Sequence, residues 1–183
     1  MPIQITFELS DTDLDYFRNV MRETHGKTKL RDEKQIVAGA RQMARNTRKL
    51  ELPDFVVERL RELDTLTRML EDTDWSLDGG PRKRVLTALS YFANSTDLVP
   101  DPVPGLGFLD DAIIVELVVE ELRPELEAYA LFCGYRVEEE SRAGVDPDEK
   151  KRRLEERRRA VHARIETRRE ERFRRGSWRS IFQ

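Results

Sequence analysis

The chain contains a single cysteine, Cys133, among its 183 residues. An internal disulfide is therefore excluded, and the composition fits a reducing compartment. No long apolar run is present. The longest uncharged stretch, Val85 to Thr96, has 12 residues, well short of the roughly 20 that a spanning helix needs. The opening residues, Met1 to Ser10, show neither a basic cluster nor an apolar stretch, so no secretory leader is expected there. A cytoplasmic protein is expected, with a peripheral place at the inner face of the membrane as the alternative. There is no phosphate-binding glycine loop, nucleophile elbow, HExxH or Cys–His pairing. Catalysis is not expected from the sequence, no cofactor is called for, and no small-molecule substrate is identified.

One further deficit is local. Between Val85 and Leu122 there is no Lys, Arg or His, although the chain holds 33 Lys and Arg in all. What this segment does hold is D-L-V-P-D-P-V-P-G-L-G-F-L-D-D, residues 97–111, with four carboxylates: Asp97, Asp101, Asp110 and Asp111. Pro100, Pro104 and Gly107 stiffen and shape the loop. Several readings are open. Asp110 or Asp111 can cap the following helix, where orphan N–H groups favour an anion. Asp97 and Asp101 can fold back on turn N–H groups, leaving the loop a hinge. Alternatively the carboxylates hold a divalent cation such as Mg²⁺ or Ca²⁺, as a metal-binding module or a metal-dependent enzyme would, since hard cations seek several oxygens from a rigid cage. In a third arrangement Arg41, Arg45 and Arg48 pair with them. Asp110 and Asp111 point about 100° apart on a helix, which does not suit a shared acid/base role.

Charge divides the chain. Residues 150–183 hold 14 basic and 5 acidic residues, against 19 basic and 31 acidic in residues 1–149. Charged residues make up 38%, above the roughly 25% usual for globular chains. An acidic body with a basic tail is expected.

Periodicity predicts an all-α fold. Ser10 and Asp13 form a capping box, and Leu14, Phe17 and Met21 share the face of a first helix. A second helix is expected over about 32–48 and a third from Pro53 to Asp72. After the break D-W-S-L-D-G-G-P, a fourth starts at Pro81 and a fifth runs from about Asp110 to Leu122. The fourth and fifth are apolar over most of their surface, which predicts a central hairpin over about 81–122. Pro124 opens a sixth helix with Leu126, Tyr129, Ala130 and Cys133. Residues 138–145 are polar. The expected division is a helical domain over 1–140, a linker over 141–146 and an Arg-rich helical tail over 147–183. Ile3, Ile5, Phe7 and Leu9 alternate with polar residues, which suggests one short strand, paired with its copy in a second subunit if it pairs at all.

The stretch A-L-S-Y-F-A-N-S-T-D-L-V-P-D-P-V-P-G-L-G-F-L-D-D-A resembles the YkvA-like family of small bacterial proteins. Its pattern D-x-x-P-D-x-x-P-x-x-G-x-x-D-D is met here by Asp97, Pro100, Asp101, Pro104, Gly107, Asp110 and Asp111. The resemblance implies an all-α fold and no assigned activity. Some relatives look membrane-associated; this chain differs in its shorter apolar runs and charged flanks.

The tail also has two readings. It can neutralise the acidic body, or that of a second copy. Alternatively Arg157, Arg158, Arg168 and Arg172 can meet the phosphates of a nucleic acid. They can also meet an anionic membrane surface, with Trp178 and Phe182 as apolar anchors. The glutamates between the arginines weaken both functional versions. A small scaffold or interaction protein, self-associating or bound to a protein partner, is the expectation. A helix from Pro147 to Arg175, roughly 43 Å long, is expected to project from the body or cross onto a second subunit. Its removal should then leave the body folded.

Overall fold

The computed structural model describes residues 8–28, 32–47, 54–93, 109–144 and 146–174, apart from a few side chains within the helices. It is all-α, with seven helices in this range: α1 (Asp11–Thr28), α2 (Glu33–Thr47), α3 (Asp54–Glu71), α4 (Gly79–Phe92), α5 (Leu109–Glu121), α6 (Arg123–Ser141) and α7 (Pro147–Arg174). The segment Ile3–Phe7, read as strand from its alternation, lies outside the described residues. The capping box forms as its residues dictate. Asp13 Oδ2 accepts from the Ser10 backbone N–H at 2.8 Å, and the Asp13 N–H donates to Ser10 Oγ at 3.4 Å.

The core lies where the three-and-four spacings place it. Leu63, Leu66 and Met69 of α3, Val85, Ala88 and Leu89 of α4, and Ile114, Val115 and Val118 of α5 are fully buried. Helices α4 and α5 are not a face-to-face pair among the described residues. The main neighbours of α4 are α2 and α1, while α5 packs on α3, which also touches α4. So α3 joins the two apolar helices into one interior.

The α2–α4 contact explains a glycine inside a helix. A Cβ on Gly39 would lie 2.8 Å from the Ala93 Cβ and 2.9 Å from its Cα. Gly39→Ala should therefore lower the urea midpoint. Overpacking costs about 1–3 kcal/mol, against the roughly 0.8–1 kcal/mol that alanine contributes to a helix. A raised midpoint would show that the contact is slack.

Two expectations about the C-terminal part are corrected. Residues 138–141, read as a polar stretch running into the linker, continue α6, and Glu139 within them is fully buried. The chain then reverses through Gly144, whose φ of +74° costs a glycine little. Helix α7 does not project. It runs back antiparallel along α6, which is its principal neighbour. Val161 and Ile165 are buried in the common core, and Leu154 packs at its edge. The side chain of Phe173 lies outside the described residues.

Candidate functional site

Asp97, Asp101, Pro100, Pro104 and Gly107 lie outside the described residues. Asp110 and Asp111 fall in the first turn of α5, and their side chains are also outside them. Arg41, one candidate partner for this loop, pairs with Glu71 of α3.

The tail arginines are better defined. Arg157 lies 3.3 Å from Glu138 and stacks over the Tyr135 ring at 4.2 Å. Arg158 donates to the Asp74 carbonyl at 3.3 Å. Arg168 meets Glu127 at 2.7 Å, and Arg172 meets Glu120 at 3.2 Å. All four side chains thus engage the acidic body. Trp178 and Phe182 lie outside the described residues.

Beneath these pairs is a buried layer of charge contributed by four helices. Arg169 of α7 donates through Nη2 to the Glu121 carboxylate at 2.7 Å and through Nη1 to the Glu121 carbonyl at 2.9 Å. The same Nη1 is 3.6 Å from Glu125. Arg84 of α4 donates through Nε to Glu125 at 2.7 Å and through Nη2 to Glu166 at 2.6 Å. Glu121 and Glu125 are buried to 2% and 0% exposure, so each depends on these guanidinium groups for compensation. Burial pushes the Glu125 carboxyl above its ordinary range, with Arg169 and Arg84 pulling the other way.

A second node joins α3, α6 and α7. Asp72 Oδ1 accepts the backbone N–H groups of Asp74 and Trp75 at 3.1 Å each. Its Oδ2 accepts from the Tyr129 hydroxyl and from Arg136, both at 2.9 Å. Burial pushes this carboxyl up, but the bonds from Trp75, Tyr129 and Arg136 outweigh it and hold it below the usual range. They aim the turn so that Trp75 is fully buried, with Phe132 at 5.2 Å and His162 of α7 edge-on at 4.1 Å.

Burial, seconded by the positive charge of Arg158, holds His162 below its ordinary pKa. A histidine with a depressed folded pKa contributes full stability above about pH 6.5, its unfolded value, and loses it as pH falls further. Denaturation measured from pH 7.5 downward should therefore show a decline below about pH 6.5 that is shallower in His162→Gln. Glu125 acts in the opposite sense, because its raised pKa makes protonation favour the folded state, so the comparison with the variant isolates the histidine. Parallel profiles would contradict the assignment.

Sequence reading passed over these residues. Asp72 and Arg136 are 64 positions apart, and nothing in local spacing pairs them. The available signal was a carboxylate at the end of an apolar helix, Glu121, with an Arg-rich helix still to be placed. Two open clefts flank α7. One, about 270 Å³, is lined by Thr73, Asp74, Lys150, Lys151 and Arg158 among others, and the second, about 180 Å³, by Arg123, Pro124, Arg168 and Arg172 with two glutamates. Both are smaller than the roughly 300–1,000 Å³ typical of small-molecule pockets.

Comparison with known proteins points to the same stretch as the motif. A family model described as a protein of unknown function (DUF1232) matches residues 83–117, which take in most of α4, the acidic loop and the first part of α5. The "Uncharacterized membrane protein YkvA" of Bacillus subtilis (strain 168) is 33% identical over 76 residues, covering 38% of this chain and 70% of that protein. No solved structure matches the chain. Among the described residues no helix is long and apolar enough to cross a membrane.

Proposed function

The chain belongs to the YkvA-like family, and we propose that it is a non-catalytic interaction or scaffold protein that acts through its helix surfaces and self-associates. The observation that carries this reading is where apolar surface remains uncovered. Helix α6 is apolar nearly all round between Leu126 and Val137. Its inner residues Ala128, Tyr129 and Phe132 are buried, yet Ala130, Gly134 and Val137 stand exposed, Val137 at 64%. A helix apolar on all sides calls for cover on all sides. The internal pairing of the tail arginines further favours a structural role for α7 over phosphate binding. Sedimentation velocity over a wide concentration range should show a mass above that of one chain, rising with concentration. A single-chain mass at every concentration and salt level would refute self-association.

A second reading draws on the name of the Bacillus relative, which calls it a membrane protein. In it the chain sits at the periphery of an anionic membrane, anchored by residues 175–183, where Trp178, Ile181 and Phe182 stand beside Arg175 and Arg179. Flotation with vesicles containing phosphatidylglycerol should then depend on that segment and fall with salt. Binding unaffected by its removal would exclude the segment as the anchor.

A further inference from the structure

We infer that the uncovered face of α6 is the site of self-association, and that its occupant is the same face of a second copy, laid antiparallel across it. The inference rests on the self-association proposed above and assigns it a surface and a geometry. Leu126, Ala130, Cys133, Gly134 and Val137 follow one another at spacings of four, three, one and three, which lines them along one side of a helix. Leu126 and Cys133 are half-buried at its edge, and the other three are exposed. No described element covers the three exposed positions: α7 lies along one flank of α6, and α3 and α5 are its other neighbours. A Cβ built on Gly134 meets nothing within 4 Å, so the backbone there can be approached closely by another helix.

The choice of a second copy follows from charge. The stripe begins at Arg123, exposed beside Pro124, and ends at Glu140, also exposed. Setting Leu126 against the partner's Val137 in an antiparallel pair sets Ala130 against the partner's Cys133 and Arg123 against the partner's Glu140. The two-fold axis repeats each contact. A parallel pair in register would instead oppose Arg123 to the partner's Arg123 and Glu140 to the partner's Glu140. The face is thus self-complementary in one orientation, as an isologous interface requires. It spans only about three turns of helix, less than the roughly 1,200–2,000 Å² of a stable specific interface. A weak, concentration-dependent dimer is therefore expected.

The test is sedimentation of the full chain, four single variants and one double variant, with unfolding of each followed at a dilution where single chains dominate. Val137→Arg and Gly134→Gln should each weaken association about tenfold or more, the equivalent of roughly 1.4 kcal/mol. Neither should lower single-chain stability, since both side chains project into open space, and Gly134→Gln should raise it through helix propensity. Arg123→Glu and Glu140→Arg should each weaken association, and the two together should restore it. Self-association unchanged in every variant would place the interface elsewhere and overturn this inference while leaving the proposed function standing. A wild-type chain that is monomeric throughout would overturn both. A loss of single-chain stability on changing Val137 or Gly134 would mean that a segment of the same chain covers the face, which also overturns the inference.

Discussion

Replacing Arg169 with methionine should destabilise the fold by about 3–5 kcal/mol, the cost of breaking a buried ion pair by removing one partner. The side chain is 11% exposed and faces two buried carboxylates. Without it Glu121 loses the partner bonded to both its carboxylate and its carbonyl, and Glu125 is left with Arg84 among the described residues. The internal comparison is Arg174→Met. Arg174 pairs with Glu170 at 3.8 Å, and both side chains are more than two-thirds exposed; such pairs are worth about 0–1 kcal/mol. Urea unfolding of the two variants side by side decides the matter. Similar midpoints would mean that water reaches the Arg169 layer and that the buried charge does not hold α7. Replacing Arg169, Glu121 and Glu125 together by neutral groups of similar volume should restore much of the loss, because a buried ion pair contributes little beyond a well-packed apolar substitute.

The second large effect concerns α7 as a whole. Deleting residues 147–183 should leave a body that no longer unfolds cooperatively at the wild-type midpoint. Val161 and Ile165 are 3% and 0% exposed, and burying a side chain of this size stabilises by about 1.5–3 kcal/mol. Their joint loss, about 3–6 kcal/mol on that scale, approaches the roughly 5–15 kcal/mol by which whole domains are stable. Deletion also removes His162 from the edge of Trp75 and strips the cover from Glu121, Glu125 and Glu139. Weakened cooperativity, read by calorimetry and by dye binding to exposed apolar surface, is the expected outcome. A truncated body that melts as sharply and as late as the full chain would return α7 to the status of an appendage. That status is what the thin apolar content of the tail implies when it is read without its neighbours.

Helix identity was legible locally. The Ser10–Asp13 box, the break read at residues 74–81, Pro124 at the head of α6 and Pro147 at the head of α7 each act within a few residues of themselves. Caps, proline and the 3.6-residue period are short-range physics, so the sequence determined the seven helices, the apolar faces of α3, α4 and α5, and the division of charge along the chain. The family motif was legible for a similar reason: Pro, Gly and Asp recur at fixed positions in one continuous stretch.

Tertiary structure alone decided where α7 lies. Its inward face contains few apolar residues because Arg158, Arg169 and Arg172 occupy positions that aliphatic side chains would otherwise fill. An arginine can cover apolar surface with its stem while its guanidinium pairs with a carboxylate. In a one-dimensional pattern that side chain counts as polar, so a buried face reads as a solvated one. Carboxylates that match the arginines of α7 stand as far as 52 positions away along the chain: Glu127 is 41 from Arg168, Glu121 is 48 from Arg169 and Glu120 is 52 from Arg172. No helical period links residues so far apart. Their pairing exists only once the reversal at Gly144 lays α7 antiparallel on α6 and brings the two charge patterns into register.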